Sequence, residues 1–202
     1  MPDPSLSDAV EEAYASAPVG VITLDTMELW HPTFAEPIRV VRGYPDTASW
    51  VALGGASVQA VLDGMDDDAR ALVGLVAKPE AGAARNAGEY VPWIALAFDF
   101  DLPAVEPVAV PEIVVTMDNV GRELSDHLNA ASESGQSLTV IYRPYLSIDI
   151  EGPQQDPPLE LTLTEVRATP LRATGRARML DIGNRTFPGR LYTPRRFPNL
   201  AR

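Results

Sequence analysis

The sequence predicts a mainly β, α+β fold: a β-sandwich or barrel with one packed helix, a short N-terminal helix and an extended C-terminal arm. The first observation is that the 202 residues include 19 prolines, about twice the usual ~5% share. Proline fixes φ and lacks an amide hydrogen, so prolines between short apolar runs suit short strands and stiff loops. The second observation is that apolar runs between the prolines have strand character, with β-branched residues in 19–30 and an alternation of period two within 90–102.

The first half of the chain predicts one helix, two strands and an excursion. DAVEEAYASA, after Ser5 or Ser7, is typical of a short capped helix that ends before Pro18. The β-branched runs 19–30 and 38–42 predict the first two strands. Residues 47–88 are rich in alanine and glycine, with a single helical pattern in DDDARALVGLVA. We interpret 47–88 as an insertion or excursion of modest order.

The second half predicts strands around one helix. Within 90–102, Ile94, Leu96, Phe98 and Phe100 alternate with small or acidic residues, which predicts a strand with one large apolar face. Val120, Leu124, Leu128 and Ala131 recur at helical spacing and predict a helix over 120–133. We find no internal repeat and predict a single β-rich domain over 1–202. The remaining segments are strands at 112–118, 138–150, 159–168 and 171–180, and an extended arm at 183–202 rich in proline, arginine and aromatic residues.

Charge is distributed unevenly within a net of −12. Residues 1–158 hold 25 acids and seven bases, whereas residues 159–202 hold three acids and nine arginines. The acidic total argues against binding phosphate backbones over the whole surface. An acidic body with a basic end is typical of a chain that docks head to tail on copies of itself or on a neighbour. Arginines that merely decorate solvated strands would give the same composition.

Composition also bears on chemistry and compartment. The chain has no cysteine, which excludes disulfides, thiolate zinc sites, iron–sulfur clusters and cysteine nucleophiles. The acidic N-terminus does not resemble a signal peptide, and no apolar run approaches the ~20 residues that cross a bilayer. We therefore expect a soluble product made in a cytoplasm, with no membrane insertion.

Candidate catalytic and metal residues are few. His31 and His127 are the only histidines, and neither belongs to a recognised metal pattern. Asp99 and Asp101 would share one strand face and could hold a divalent cation, although the solvent side of an alternating strand would look the same. The serine of GGASV at 54–58 lies outside any GxSxG elbow. We predict no enzyme, no catalytic, metal-ligating or cofactor-binding residues, and no cofactor.

Four ordered blocks resemble a tailed-phage tail-tip family known only as a domain of unknown function. They span 27–46 and 89–200, and 47–88 is longer than the family's usual connection. The blocks are MELWHPTFAEPIRVV (27–41), FDFDLP (98–103), MDNVGRE (117–123) and FPGRLYTPRRFPNL (187–200). Genes of that family typically lie between the tape-measure protein and an NlpC-type peptidase. The peptidase itself needs a cysteine and is excluded.

The resemblance implies a virion protein of the tail tip, assembled in the host cytoplasm. We predict a distal-tail or hub-adaptor ring, six-fold in preference to three-fold, that joins the tail tube to hub proteins. Tape measure or DNA could contact the ring lumen transiently. Aromatic and arginine side chains on the proline-stiffened arm have the composition of interface anchors; the candidates are Phe187, Arg190, Tyr192, Arg195, Arg196 and Phe197.

Two other classes of function stay open. In a carbohydrate-binding module of the tail tip, Trp30, Trp50, Trp93 and Tyr90 could stack on sugar rings, although buried aromatics of a β core would look the same in sequence. The third class is a hydrolase with a serine or carboxylate site, which no sequence motif supports.

Overall fold

The computed structural model describes residues 7, 12, 20–100, 112–118, 128–131, 137–169 and 171–179. They form nine strands and two helices, with a further helical turn at 128–131. The helices are α1 (Thr47–Asp63) and α2 (Asp67–Arg70). The strands are β1 (Thr23–Trp30), β2 (Ile38–Arg42), β3 (Val73–Ala77), β4 (Val91–Leu96), β5 (Phe98–Phe100), β6 (Glu112–Asp118), β7 (Leu138–Leu146), β8 (Leu159–Ala168) and β9 (Arg172–Met179).

All nine strands belong to one sheet in the order β3-β4-β2-β1-β7-β8-β9-β6-β5. Neighbours are antiparallel except β2 and β4, which are parallel. The order is open, but only Ala97 separates β5, its last strand, from β4, its second. The sheet therefore curls back on itself. The mainly β, α+β prediction is confirmed, and the described strands form one open sheet rather than two stacked sheets.

Two apolar clusters pack on opposite faces of this sheet. The inner core fills the curl, and its buried side chains come from β1, β2, β5 to β9 and the 128–131 turn; they include Met27, Leu29, Val40, Phe98, Val115, Met117, Leu128, Val140, Tyr142, Leu161 and Leu163. The outer core lies between α1 and the outer face of the sheet; it includes Val41, Trp50, Val58, Leu62, Val73, Leu75, Val76, Trp93, Tyr145 and Ile150.

Residues 47–88 differ from the modestly ordered excursion that the sequence predicts. They contain both helices and β3, a strand with every residue buried. Asp46 caps α1 by accepting a hydrogen bond from the amide of Ser49 at 3.1 Å. The Trp50 indole Nε1 donates to the carbonyl oxygen of Gly74 at 2.9 Å. Since β3 is an edge strand, this contact occupies a backbone acceptor that another chain could otherwise pair with.

Several predicted elements have the predicted bounds. The strands at 38–42, 112–118 and 159–168 coincide with β2, β6 and β8. The predicted helix 120–133 is described only at 128–131, which is helical and buries Leu128 and Ala131 in the inner core. The N-terminal helix, apart from Glu12, and the arm at 183–202 lie outside the described residues.

One strand prediction is only partly right. We expect Ile94, Leu96, Phe98 and Phe100 to form one apolar face, but Ile94 packs on the outer core whereas Leu96 and Phe98 pack on the inner core. The change of face therefore occurs within β4, between Ile94 and Leu96, before the chain enters β5. Among the described residues, no helix combines the length and hydropathy that crossing a membrane requires.

Candidate functional site

A buried charge cluster lies on the outer face of the sheet, beside the outer core. Glu28 is on β1, between Met27 and Leu29, which face the inner core. Since side chains alternate along a strand, Glu28 faces outward. Arg39 is its direct cross-strand neighbour on β2, and Arg143 comes from β7.

The cluster joins these strands to the loop at 78–90. Arg143 donates to both carboxylate oxygens of Glu80, from Nε at 2.6 Å and from Nη2 at 2.9 Å. Its Nη1 lies 3.5 Å from Glu28 Oε2, which accepts from Arg39 Nε at 3.0 Å. The side chains of Glu28 and Arg143 are only 2% and 1% exposed. Such charges are tolerated in the interior because each has an opposite charge in contact.

Burial and neighbouring charges shift the pKa values in this cluster. Burial raises the pKa of Glu80, but the hydrogen bonds and charge of Arg143 outweigh burial, so the pKa lies below its ordinary value. Burial lowers the pKa of Arg143, whereas Glu80 and Glu28 raise it and prevail. Arg85 behaves differently: burial, together with the like charges of Arg39 and Arg143, lowers its pKa despite the attraction of Glu28.

Arg85 is the member of the cluster without a carboxylate of its own. Its guanidinium stacks on Trp30, with Cζ 3.5 Å from the ring centroid, in a cation–π arrangement. Its nearest acid is Glu28, at 3.9 Å from Nη1. That carboxylate already contacts Arg39 and Arg143. Three guanidinium groups thus share two carboxylates.

A cavity of about 430 Å³ opens beside this cluster, at the start of β4. We call it the arginine pocket; it is lined by Trp30, Pro37, Arg39, Arg85, Asn86 and Pro92, with Ala35, Glu36 and Val91 completing the wall. Apolar walls with a few converging polar groups are typical of binding sites. The pocket can therefore present the guanidinium of Arg85 to an incoming acceptor, whereas Arg39 already donates to Glu28 and Asn86.

Further contacts hold the 78–90 loop, one wall of the pocket, in place. Asn86, whose φ of 52° is in the left-handed region, accepts from Arg39 Nη2 at 2.8 Å. At the start of the loop, Lys78 Nζ lies 2.5 Å from Glu151, which also accepts a hydrogen bond from the Tyr90 hydroxyl. The loop is thus fixed at its start, middle and end.

The opposite end of β4 is acidic, and we call it the acidic end. It carries seven aspartates and three arginines: Asp25, Asp63, Asp66, Asp67, Asp68, Asp99, Asp118, Arg42, Arg70 and Arg172. A second cavity of about 390 Å³ lies there, between the end of β2 and β5, and the Tyr44 ring on its rim is 89% exposed.

The structure places the predicted metal candidates apart. His31 is fully buried, and its Nδ1 accepts a hydrogen bond from the amide of Thr33 at 3.2 Å. Asp99 is 78% exposed and 3.8 Å from Arg42. His127 and Asp101 lie outside the described residues. Within the described part of the chain, no three histidine, aspartate or glutamate side chains converge as a metal site would require.

The other candidate residues are buried, exposed or outside the described part of the chain. Trp50 and Trp93 are buried in the outer core, so neither is available to stack on a sugar as the carbohydrate hypothesis expects. Ser57 of GGASV is exposed on α1. The candidate interface residues of the arm all lie outside the described residues: Phe187, Arg190, Tyr192, Arg195, Arg196 and Phe197.

Part of the basic C-terminal region is internally paired. Arg172 Nε donates to Asp118 at 2.7 Å, and Arg176 lies 3.4 Å from Glu165. These exposed arginines thus agree with the alternative interpretation, in which arginines lie on solvent-exposed strands without a docking role. The docking role predicted for the basic end would therefore depend on residues other than Arg172 and Arg176.

The charge cluster and the arginine pocket were missed from the sequence. One signal was present: Glu28 and Arg39 face each other once 27–41 is drawn as a hairpin. The remaining members come from distant segments, and no local pattern connects them.

The family comparison covers most of the chain. A family model described as a domain of unknown function (DUF1833) matches residues 9–192. The chain belongs to this family. Both ends of β4, with the arginine pocket and the acidic end, lie inside the matched range. Neither the curated proteins nor the solved structures contain a significant match.

Proposed function

We propose that this DUF1833 protein is a structural component of the tail tip of a long-tailed phage. It would act as a distal-tail or hub-adaptor protein that forms a ring between the tail tube and the tip. The proposal takes its class of function from the resemblance of the four sequence blocks. It takes its mode of assembly from the geometry.

The observation that carries the proposal is the difference between the two ends of β4. One end has the arginine pocket, where three guanidinium groups share two carboxylates. The other is the acidic end, where aspartates outnumber arginines. A guanidinium with no hydrogen-bonded carboxylate among the described residues at one end (Arg85) and exposed aspartates at the other favour a head-to-tail contact, and head-to-tail contacts close into a ring when the rotation permits.

The rigid attachment of the 78–90 loop supports an assembly role. Interfaces that need little reordering form at lower entropic cost. Here the loop is already fixed by Glu80, Asn86 and Lys78 before any partner arrives. The ring would then act mechanically, as a connector with a central passage.

The mass of the purified protein in solution tests the proposal. We expect sedimentation and native mass spectrometry to give a closed oligomer, with six times the 21.8 kDa chain mass favoured over three times. Negative-stain images should show rings with a central opening. A protein that stays monomeric over a wide concentration range would contradict the proposal.

A further inference from the structure

We propose that the arginine pocket receives the carboxylate corner at Asp66–Asp68 of a second copy of the chain, with Asp68 pairing with Arg85. This inference rests on the proposed ring and specifies its contact.

Arg85 has hydrogen-bond donors that no described residue uses. Its side chain is 27% exposed, and a guanidinium has five N–H donors. Among the described residues, Arg85 has only the Trp30 stack and the 3.9 Å approach of Glu28, with no hydrogen bond. The stack fixes the plane of the guanidinium, so its edge is already oriented for a planar acceptor such as a carboxylate.

The carboxylates of the charge cluster are already engaged by arginines other than Arg85. Glu28 and Glu80 are both engaged by Arg143, and Glu28 also by Arg39. A third carboxylate would balance the third guanidinium. Glu36 lies on the pocket wall but is exposed and within ion-pair distance of neither lining arginine. Glu89, which accepts a hydrogen bond from Asn86 Nδ2 at 3.1 Å, is likewise beyond ion-pair distance of Arg85. No carboxylate among the described residues therefore hydrogen-bonds Arg85, and a carboxylate of a second copy would supply that contact.

The corner at Asp66–Asp68 of a second copy can supply that carboxylate. In the corner, Asp66 caps α2 by accepting from the amide of Ala69, and Asp67 pairs with Arg70 at 2.5 Å. Asp68 is exposed and makes no hydrogen bond or ion pair with the described residues. It therefore retains its full capacity to accept hydrogen bonds from a partner.

The corner of a chain cannot reach the arginine pocket of the same chain. The corner precedes Val73, at the start of β3, whereas the pocket follows Ala77, beyond its end. A five-residue strand spans about 16 Å, so one chain's corner lies a strand length away from its own pocket. A second copy is required, and the resulting contact is head to tail.

The test uses the full chain with two single substitutions, Arg85→Gln and Asp68→Asn. We expect each to weaken the protomer contact at least about tenfold, as loss of a charged pair at an interface does. Sedimentation velocity should show a shift from rings to monomers. Matched controls that remove the same charges outside the two ends of β4, Arg176→Gln and Glu165→Gln, should leave the rings intact.

Mixing the two assembly-deficient variants provides a sharper result. The Arg85→Gln chain retains Asp68, and the Asp68→Asn chain retains Arg85, so one intact contact can form between them. We expect an equimolar mixture to give heterodimers but no rings. Asp68→Asn removes only the charge of an exposed side chain, so an unchanged far-UV circular dichroism spectrum would exclude misfolding as the cause.

The possible outcomes separate this inference from the proposed function. Rings that persist in both single variants would overturn the Arg85–Asp68 contact and leave the ring itself standing. Wild-type protein that is monomeric throughout would overturn both. Rings in the wild type and controls, monomers in the two variants and heterodimers on mixing would support the contact.

Discussion

The outer face of the sheet is covered in two different ways. Under α1, the cover is apolar: Trp50, Val58 and Leu62 pack on strand residues such as Trp93. Under the 78–90 loop, the cover is ionic, with Glu80 on the loop bound to Arg143 on the sheet. The same sheet face thus carries an apolar half and a charged half side by side.

The difference shows how a segment with few large apolar residues can still be held firmly. The 78–90 loop is rich in alanine and glycine and has little to bury, so paired charges take the place of packing. Apolar burial is proportional to area and indifferent to partner identity. Ion pairs depend on every member being present, and the shared carboxylates leave Arg85 incompletely satisfied.

The largest effect is expected in the apolar half. Trp93 is fully buried and contacts the Tyr145 ring at 5.8 Å between centroids. We expect Trp93→Ala to lower the free energy of unfolding by about 3–5 kcal/mol, because it removes buried area and leaves a cavity. Urea denaturation at neutral and mildly acidic pH measures it. A loss that depends strongly on pH would contradict the apolar character of this half.

The charged half should respond to the loss of one partner. We expect Arg143→Met to lower the free energy of unfolding by about 3 kcal/mol, because it leaves the carboxylate of Glu80 without its cation. The double variant Arg143→Met, Glu80→Gln should recover much of the loss, since the stranded charge is then gone. Chemical denaturation of the two variants side by side measures this. Equal losses in both would show that Arg143 stabilises by packing alone.

The pH dependence of the charged half should be smaller. Because the pKa of Glu80 is lower in the folded state, its contribution is fully present above the ordinary value of 4.5 and is lost as the pH falls through the lowered folded value. We expect Glu80→Gln to cost about 1 kcal/mol at neutral pH, allowing for partial solvent exposure. The gap from wild type should close in acid. A gap that stays constant in urea titrations at acidic pH would contradict this assignment.

Strands were the most predictable part of the fold. In β6 and β8 the alternation of apolar and polar residues is local, so the sequence predicted their bounds correctly. The β-branched runs at 19–30 and 38–42 predicted β1 and β2. These elements bury one face, and a period of two reports that burial directly.

Helix α1 was missed because its local signals oppose its structure. Gly54 and Gly55 lie in its middle, and Gly55 adopts non-helical angles (φ 57°, ψ −138°) that kink it. Glycine is unfavourable in the interior of a helix. The helix is stabilised by burying Trp50, Val58 and Leu62 against the sheet, which no local window of sequence reveals.

By itself, the sequence determined the β-rich class, most strand positions and the uneven division of charge, because each depends on local pattern or composition. Tertiary structure alone decided which charges are paired inside the molecule. Arg143 and Glu80 are 63 positions apart and meet only because β7 and the 78–90 loop cover the same sheet face. Arg85 retains unused donors for the same reason: folding brings three guanidinium groups to two carboxylates, and the count is fixed by contact rather than by composition.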